Sequence, residues 1–69
     1  MLSSRLNNLI DRLPAIMSVQ EAADFFSVSY QTVYRMIRSG QIAAWKDGEN
    51  NWCIGRADIR RFCAENSNR

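Results

Sequence analysis

The stretch from Ser18 to Gly40 constrains the fold more than any other part of the chain. It encodes two short amphipathic helices separated by three residues. Ser18-Val-Gln-Glu21 is a capping box, in which the serine oxygen takes an orphan amide of the first turn and the glutamate reaches back to the serine amide. Met17 and Ala22 are spaced for a hydrophobic staple. A helix from about Val19 to Phe26 follows, with Ala22, Ala23 and Phe26 on its buried side. The two alanines allow a second helix to approach closely. Ser27-Val28-Ser29 breaks the period, Ser29 caps the next helix, and Gly40 stops it after Ser39. Val33, Met36 and Ile37 form the inward stripe of that helix. Gln31, Tyr34, Arg35 and Arg38 fall on the opposite side.

The flanking segments read less sharply. Leu2, Leu6, Leu9, Ile10 and Leu13 lie on one helical face, which predicts an N-terminal helix over 2–13, capped by Ser3 or Ser4 and ended at Pro14. The spacing of Leu2, Leu6, Leu9 and Leu13 is heptad-like, so this helix either packs on the domain or supports self-association. Fewer than two heptads do not define a coiled coil. After Gly40 the period changes. Gln41–Lys46 and Asn51–Ile54 read as two short strands around Asp47-Gly48-Glu49-Asn50, with Asp-Gly as the turn signal. Trp52 and Ile54 are expected to face inward, Cys53 to be the more exposed cysteine, and Trp45 to lie in the core under the hairpin. A closing helix over 56–65 has Ile59, Phe62 and Cys63 on its apolar side, and 66–69 read as a disordered polar tail. Arg56, Arg60 and Arg61 are expected to pair locally with Asp58 and Glu65. The resulting division is 1–16 for the N-terminal helix, 17–65 for the domain and 66–69 for the tail.

Composition excludes several function classes. A chain of 69 residues has room for one small domain. The net charge of +2 is unremarkable, but its distribution is not. Residues 27–46 hold Arg35, Arg38 and Lys46 and no acid, whereas the flanking segments mix both signs. There is no histidine, no glycine-rich phosphate loop and no paired-carboxylate constellation, which argues against an enzyme. Two cysteines are too few for a zinc site, and a lone pair is a weak disulfide signal. No cofactor is implied. Neither a secretory h-region nor a membrane-length apolar run is present, so a reduced cytoplasmic protein is the expectation.

The apolar positions Ala22, Ala23, Phe26, Val28, Val33 and Met36 fall where helix-turn-helix proteins place packing residues. With the segments MSVQEAADFFSVS, QTVYRMIRSGQI and WCIGRADIRRF, residues 17–63 resemble the excisionase-like group of winged helix-turn-helix domains, related to the MerR-type regulators. The resemblance implies a mostly α fold with a small β-hairpin wing, here with an extra N-terminal helix. It also implies double-stranded DNA as partner. Arg35 has the donors to read a guanine edge and Gln31 to read adenine. Ser29, Tyr30, Thr32, Tyr34 and Arg38 are candidates for phosphate or groove-edge contact, Lys46 for backbone or minor groove, and Asn50 and Asn51 for wing contacts. Three positions depart from the family pattern. Ser27 occupies a turn position often held by glycine, Tyr30 replaces a frequent arginine, and the wing tip carries Asp47 and Glu49 where relatives often have basic residues.

The role this implies is an excisionase, or recombination directionality factor, that binds and bends DNA near attachment sites so that an integrase favours excision. Few phosphate contacts per copy imply assembly on DNA or a partner protein. Three alternatives remain: a small MerR-type transcriptional regulator or the DNA-binding portion of one, a phage packaging subunit with a similar winged helix, and a protein-interaction module acting through residues 2–13.

Overall fold

A computed structural model describes residues 4–66. Its elements run α1 (Ser4–Asp11), β1 (Ile16–Ser18), α2 (Val19–Phe26), α3 (Tyr30–Arg38), β2 (Trp45–Lys46), β3 (Trp52–Gly55) and α4 (Arg56–Asn66). The three strands form one antiparallel sheet in the order β1-β3-β2. This is a mostly helical winged helix-turn-helix with an additional N-terminal helix.

Local chemistry fixes both helices of the central pair. The capping box closes as read: Ser18 Oγ accepts from the Glu21 amide at 3.1 Å, and Glu21 Oε1 accepts from the Ser18 amide at 2.8 Å. Each helix then ends in a left-handed residue that lets the next amides reach back to the last turn. In α2 that residue is Ser27, at φ 58°, with the Val28 amide donating to Ala23 O at 3.0 Å. In α3 it is Gly40, at φ 85°, with the Gln41 amide donating to Met36 O at 2.9 Å. These are Schellman-type terminations, which satisfy carbonyls a helix end leaves orphaned.

The core is continuous across all layers. Ile10 from α1, Met17 from β1, Ala22 and Ala23 from α2, Val33 from α3, Ile54 from β3 and Ile59 from α4 are buried together. Phe26 packs edge-on against Phe62 with centroids 5.7 Å apart, tying the central pair to α4.

Several expectations change. Within the described residues the first helix covers Ser4–Asp11 rather than extending to 13, and its stripe centres on Ile10; Leu9 is 46% exposed. Leu2 and Ser3, expected in that helix, lie outside the described residues, and Ser4 is its first described helical residue rather than a cap. Met17 sits in a strand that periodicity did not indicate, opposite Ile54, and shares the core with Ala22. The strand expected over Gln41–Lys46 shortens to Trp45–Lys46, because Gln41 and Ile42 donate their amides to the end of α3. Trp52 and Ile54 turn inward as expected. Trp45 does not: it pairs with Cys53 on the opposite face and is 43% exposed. Asn66 belongs to α4 rather than to the tail, and 67–69 lie outside the described residues.

The α4 arginines are also placed differently. Arg60 bonds to Asn7 and Asp11 of α1. Arg56 donates to Leu13 O at 2.9 Å and to Asp11 O at 3.4 Å. Asp58 accepts from the Gly55 amide at 3.3 Å, at the start of its own helix. The arginines thus hold the N-terminal helix to the domain, in place of the local ion pairs expected with Asp58 and Glu65.

Candidate nucleic-acid interface

The candidate interface is built outward from α3. Val33 and Ile37 are buried and Met36 is half-buried, which fixes the rotation of the helix on α2. The remaining positions must then face out. Tyr30, Gln31, Thr32, Arg35 and Arg38 are exposed, and Tyr34 is half-buried. Neither α3 nor its cap contains an acid.

Ser29 and Thr32 are engaged in the cap. Ser29 Oγ accepts from the Thr32 amide at 3.2 Å, and the two hydroxyls lie 2.9 Å apart. Each keeps hydrogen-bonding capacity toward solvent. Tyr30 and Tyr34 stack, with centroids 6.5 Å apart and planes 11° apart. Arg38 Nη1 donates to Tyr34 Oη at 3.1 Å, and the guanidinium carbon lies 5.8 Å from that ring's centroid. The Arg35 guanidinium has no ion pair or side-chain hydrogen bond among the described residues.

The wing tip is more ordered than its charge suggested. Asp47 Oδ1 accepts from the amides of Glu49 at 2.8 Å and Asn51 at 3.0 Å. The Asn50 amide donates to Asp47 O at 3.1 Å, and Asn50 is left-handed at φ 67°. Asn50, rather than Gly48, is therefore the residue that bends the hairpin, as in a turn followed by a bulge. The Asn51 and Glu49 amides hold the Asp47 carboxyl below its ordinary pKa of 3.8. This acid is a structural part of the turn, and Glu49 remains as the tip acid whose carboxylate has no ion pair or hydrogen bond among the described residues. Lys46 stands over Trp52, its Nζ 5.0 Å from the ring centroid.

The α3 set is contiguous. Tyr30 and Asn51 line one open groove of about 400 Å³, with Gln20, Glu21 and Asp47 also on its walls. The three-way linkage of Tyr30, Tyr34 and Arg38 was not anticipated from the sequence, although their i, i+4, i+8 spacing was the available signal. Burial raises the Cys63 thiol pKa, as suits a small core residue. Among the described residues no group of three or more His, Cys, Asp or Glu is placed to hold a metal ion, and no helix is long and apolar enough to cross a membrane.

A capped helix pair joined by a three-residue turn and followed by a two-stranded wing defines the helix-turn-helix class. The sequence agrees: the family described as "Helix-turn-helix domain" matches residues 16–67, beginning where β1 begins, and the chain belongs to that family. No curated protein and no solved structure matches the chain. A domain of this class supports DNA as the partner, and such domains typically bind rather than catalyse.

Proposed function

We propose that the protein is a sequence-specific DNA-binding factor of excisionase type, with α3 as the helix that enters the major groove. The observation that carries this reading is the outward face of α3. Val33 and Ile37 of its inward stripe are buried, its outward positions carry Gln31, Arg35 and Arg38, and α3 itself contains no acid.

In this reading Arg35 donates to guanine O6 and N7, and Gln31 bonds adenine. Ser29, Tyr30, Thr32, Tyr34 and Arg38 hold the flanking phosphates and fix the register. Lys46, Asn50 and Asn51 touch the adjacent backbone or minor groove from the wing. The reactive chemistry belongs to an integrase, and this chain contributes geometry by bending the DNA between sites. One copy makes few phosphate contacts, so occupancy rises when adjacent copies, or an integrase, bind together. Leu9, exposed on α1, is the described apolar position of residues 2–13 open to such contacts.

Footprinting and gel-bending assays on the ends of the element that encodes the chain, with and without any integrase encoded beside it, test the role. Expected are repeated protected sites in helical phase, DNA bending, and more excision product when the protein is added. A single unbent site at a promoter, with excision unaffected, would replace this role with transcriptional regulation.

A further inference from the structure

The outward face of α3 divides into two rows. Gln31 and Arg35 lie one turn apart, and the Arg35 guanidinium is unengaged among the described residues. Tyr30, Tyr34 and Arg38 form the second row, and here the side chains are joined. Ring stacks on ring, and the phenol oxygen of Tyr34 accepts from Arg38 at 3.1 Å.

Resting on the DNA-binding reading, we propose that Tyr34 and Arg38 form a preassembled clamp for one backbone phosphodiester, in which Tyr34 is the positioning residue that aims Arg38. Three features lead there. An arginine is a long, rotamer-rich side chain, and ordering it before binding removes a cost that would otherwise fall on the complex. Tyr34 Oη uses a lone pair toward Arg38, which leaves its own hydrogen as a donor, strengthened by the cation beside it. The clamp therefore offers one neutral O–H and the remaining guanidinium N–H groups, and no acid of α3 competes. Adjacent donors without a nearby acid fit two oxygens of one phosphate.

The same geometry divides the work of the two arginines. Arg38 has one arm of its fork committed to Tyr34, which leaves it fewer orientations for the two-point contact that reads guanine. Arg35 has its whole fork available. Sequence discrimination is thus assigned to Arg35 and sequence-independent anchoring to Arg38. Half-burial of Tyr34 makes this division durable, because its ring is held by the helix surface and by Tyr30.

The test uses the full chain and a 20-bp duplex of random sequence, since a phosphate clamp acts on any sequence. Anisotropy titrations over a range of salt compare wild type, Tyr34→Phe, Arg38→Ala and the double variant. Tyr34→Phe keeps the ring and its stack and removes only the hydroxyl. It should weaken binding about fivefold. Loss of one phosphate contact should lower the salt slope by about 0.9 in Arg38→Ala. The double variant should lose less affinity than the product of the two single losses, whereas the losses of Tyr34→Phe and Arg35→Ala should multiply. Hydrogen exchange at the Arg38 Nη–H groups in the DNA-free protein should be slower in wild type than in Tyr34→Phe. Multiplying losses for Tyr34→Phe and Arg38→Ala, or equal exchange in the two proteins, would overturn the clamp while leaving DNA binding intact. A wild-type chain that binds no duplex at low salt would instead overturn the DNA reading, and the clamp with it.

Discussion

Replacing Arg56 by alanine should loosen the N-terminal helix and lower the stability of the whole domain. The α1 helix ends without a side-chain cap of its own, and its last carbonyls need donors. The Arg12 and Leu13 amides tighten the final turn by donating to Leu9 O and Ile10 O. Arg56 braces the turn that follows α1 from more than 40 positions away, donating to Leu13 O at 2.9 Å in a half-buried setting. A hydrogen bond from a charged donor is worth about 1.5 kcal/mol at the lower end of its range, which applies because water can reach the abandoned carbonyl. A cation at a helix C-terminus adds about 0.5 kcal/mol. The 3.4 Å contact to Asp11 O is too long to add much. The sum is about 2 kcal/mol, against roughly 3–10 kcal/mol for a whole chain of this size. For so small a domain this corresponds to a fall in Tm of about 10 °C. Thermal unfolding followed by circular dichroism gives the value. Arg61→Ala is the control, since Arg61 is exposed and has no such contact, and should change stability by less than about 0.5 kcal/mol. An Arg56→Ala variant that melts with Arg61→Ala would refute the reasoning.

Three further outcomes follow from other parts of the structure. Ser27→Gly should raise stability by about 0.5–1 kcal/mol, because the left-handed conformation costs a residue with a Cβ more than the extra chain entropy of glycine; an unchanged or lower urea midpoint would refute it. Asp47 has a folded pKa below 3.8, so its contribution is present above the unfolded value and is lost as pH falls through the folded one. In an NMR titration the Glu49 and Asn51 amides should therefore shift together with a midpoint below 3.8, and Asp47→Asn should abolish the transition; a midpoint at or above 3.8 would contradict this. Ile54→Ala should cost about 3 kcal/mol, since Ile54 is fully buried at the centre of the sheet, and the shift in the chemical-denaturation midpoint measures that loss.

The sequence carried the central helix pair almost completely, because its signals are local. A capping box, a serine cap and a glycine stop act within four residues of where they are read. The same locality explains what was missed. Strand β1 is three residues long, and only its pairing with β3 makes it a strand. The side of the hairpin on which Trp45 lies depends on register with Cys53, which no local rule sets. Arg60 finds partners in α1 and Arg56 in the turn after it, and charges nearby in sequence gave no sign of that. At the candidate interface, helical spacing placed Gln31, Arg35 and Arg38 correctly on the outside. The role of Asp47 was hidden because composition registers a wing acid as a charge, while the fold uses it as an acceptor for backbone amides.

The central claim is that DNA is bound through the outward face of α3. Reversing the charge of Arg35 and Arg38 together, as Arg35→Glu/Arg38→Glu, changes that face without touching the buried stripe. Titration of both proteins with duplex DNA at low salt is the most direct measurement. The account predicts a loss of at least about 100-fold in affinity, with the far-ultraviolet circular dichroism spectrum retained. A charge-reversed protein that binds DNA as tightly as wild type would contradict it.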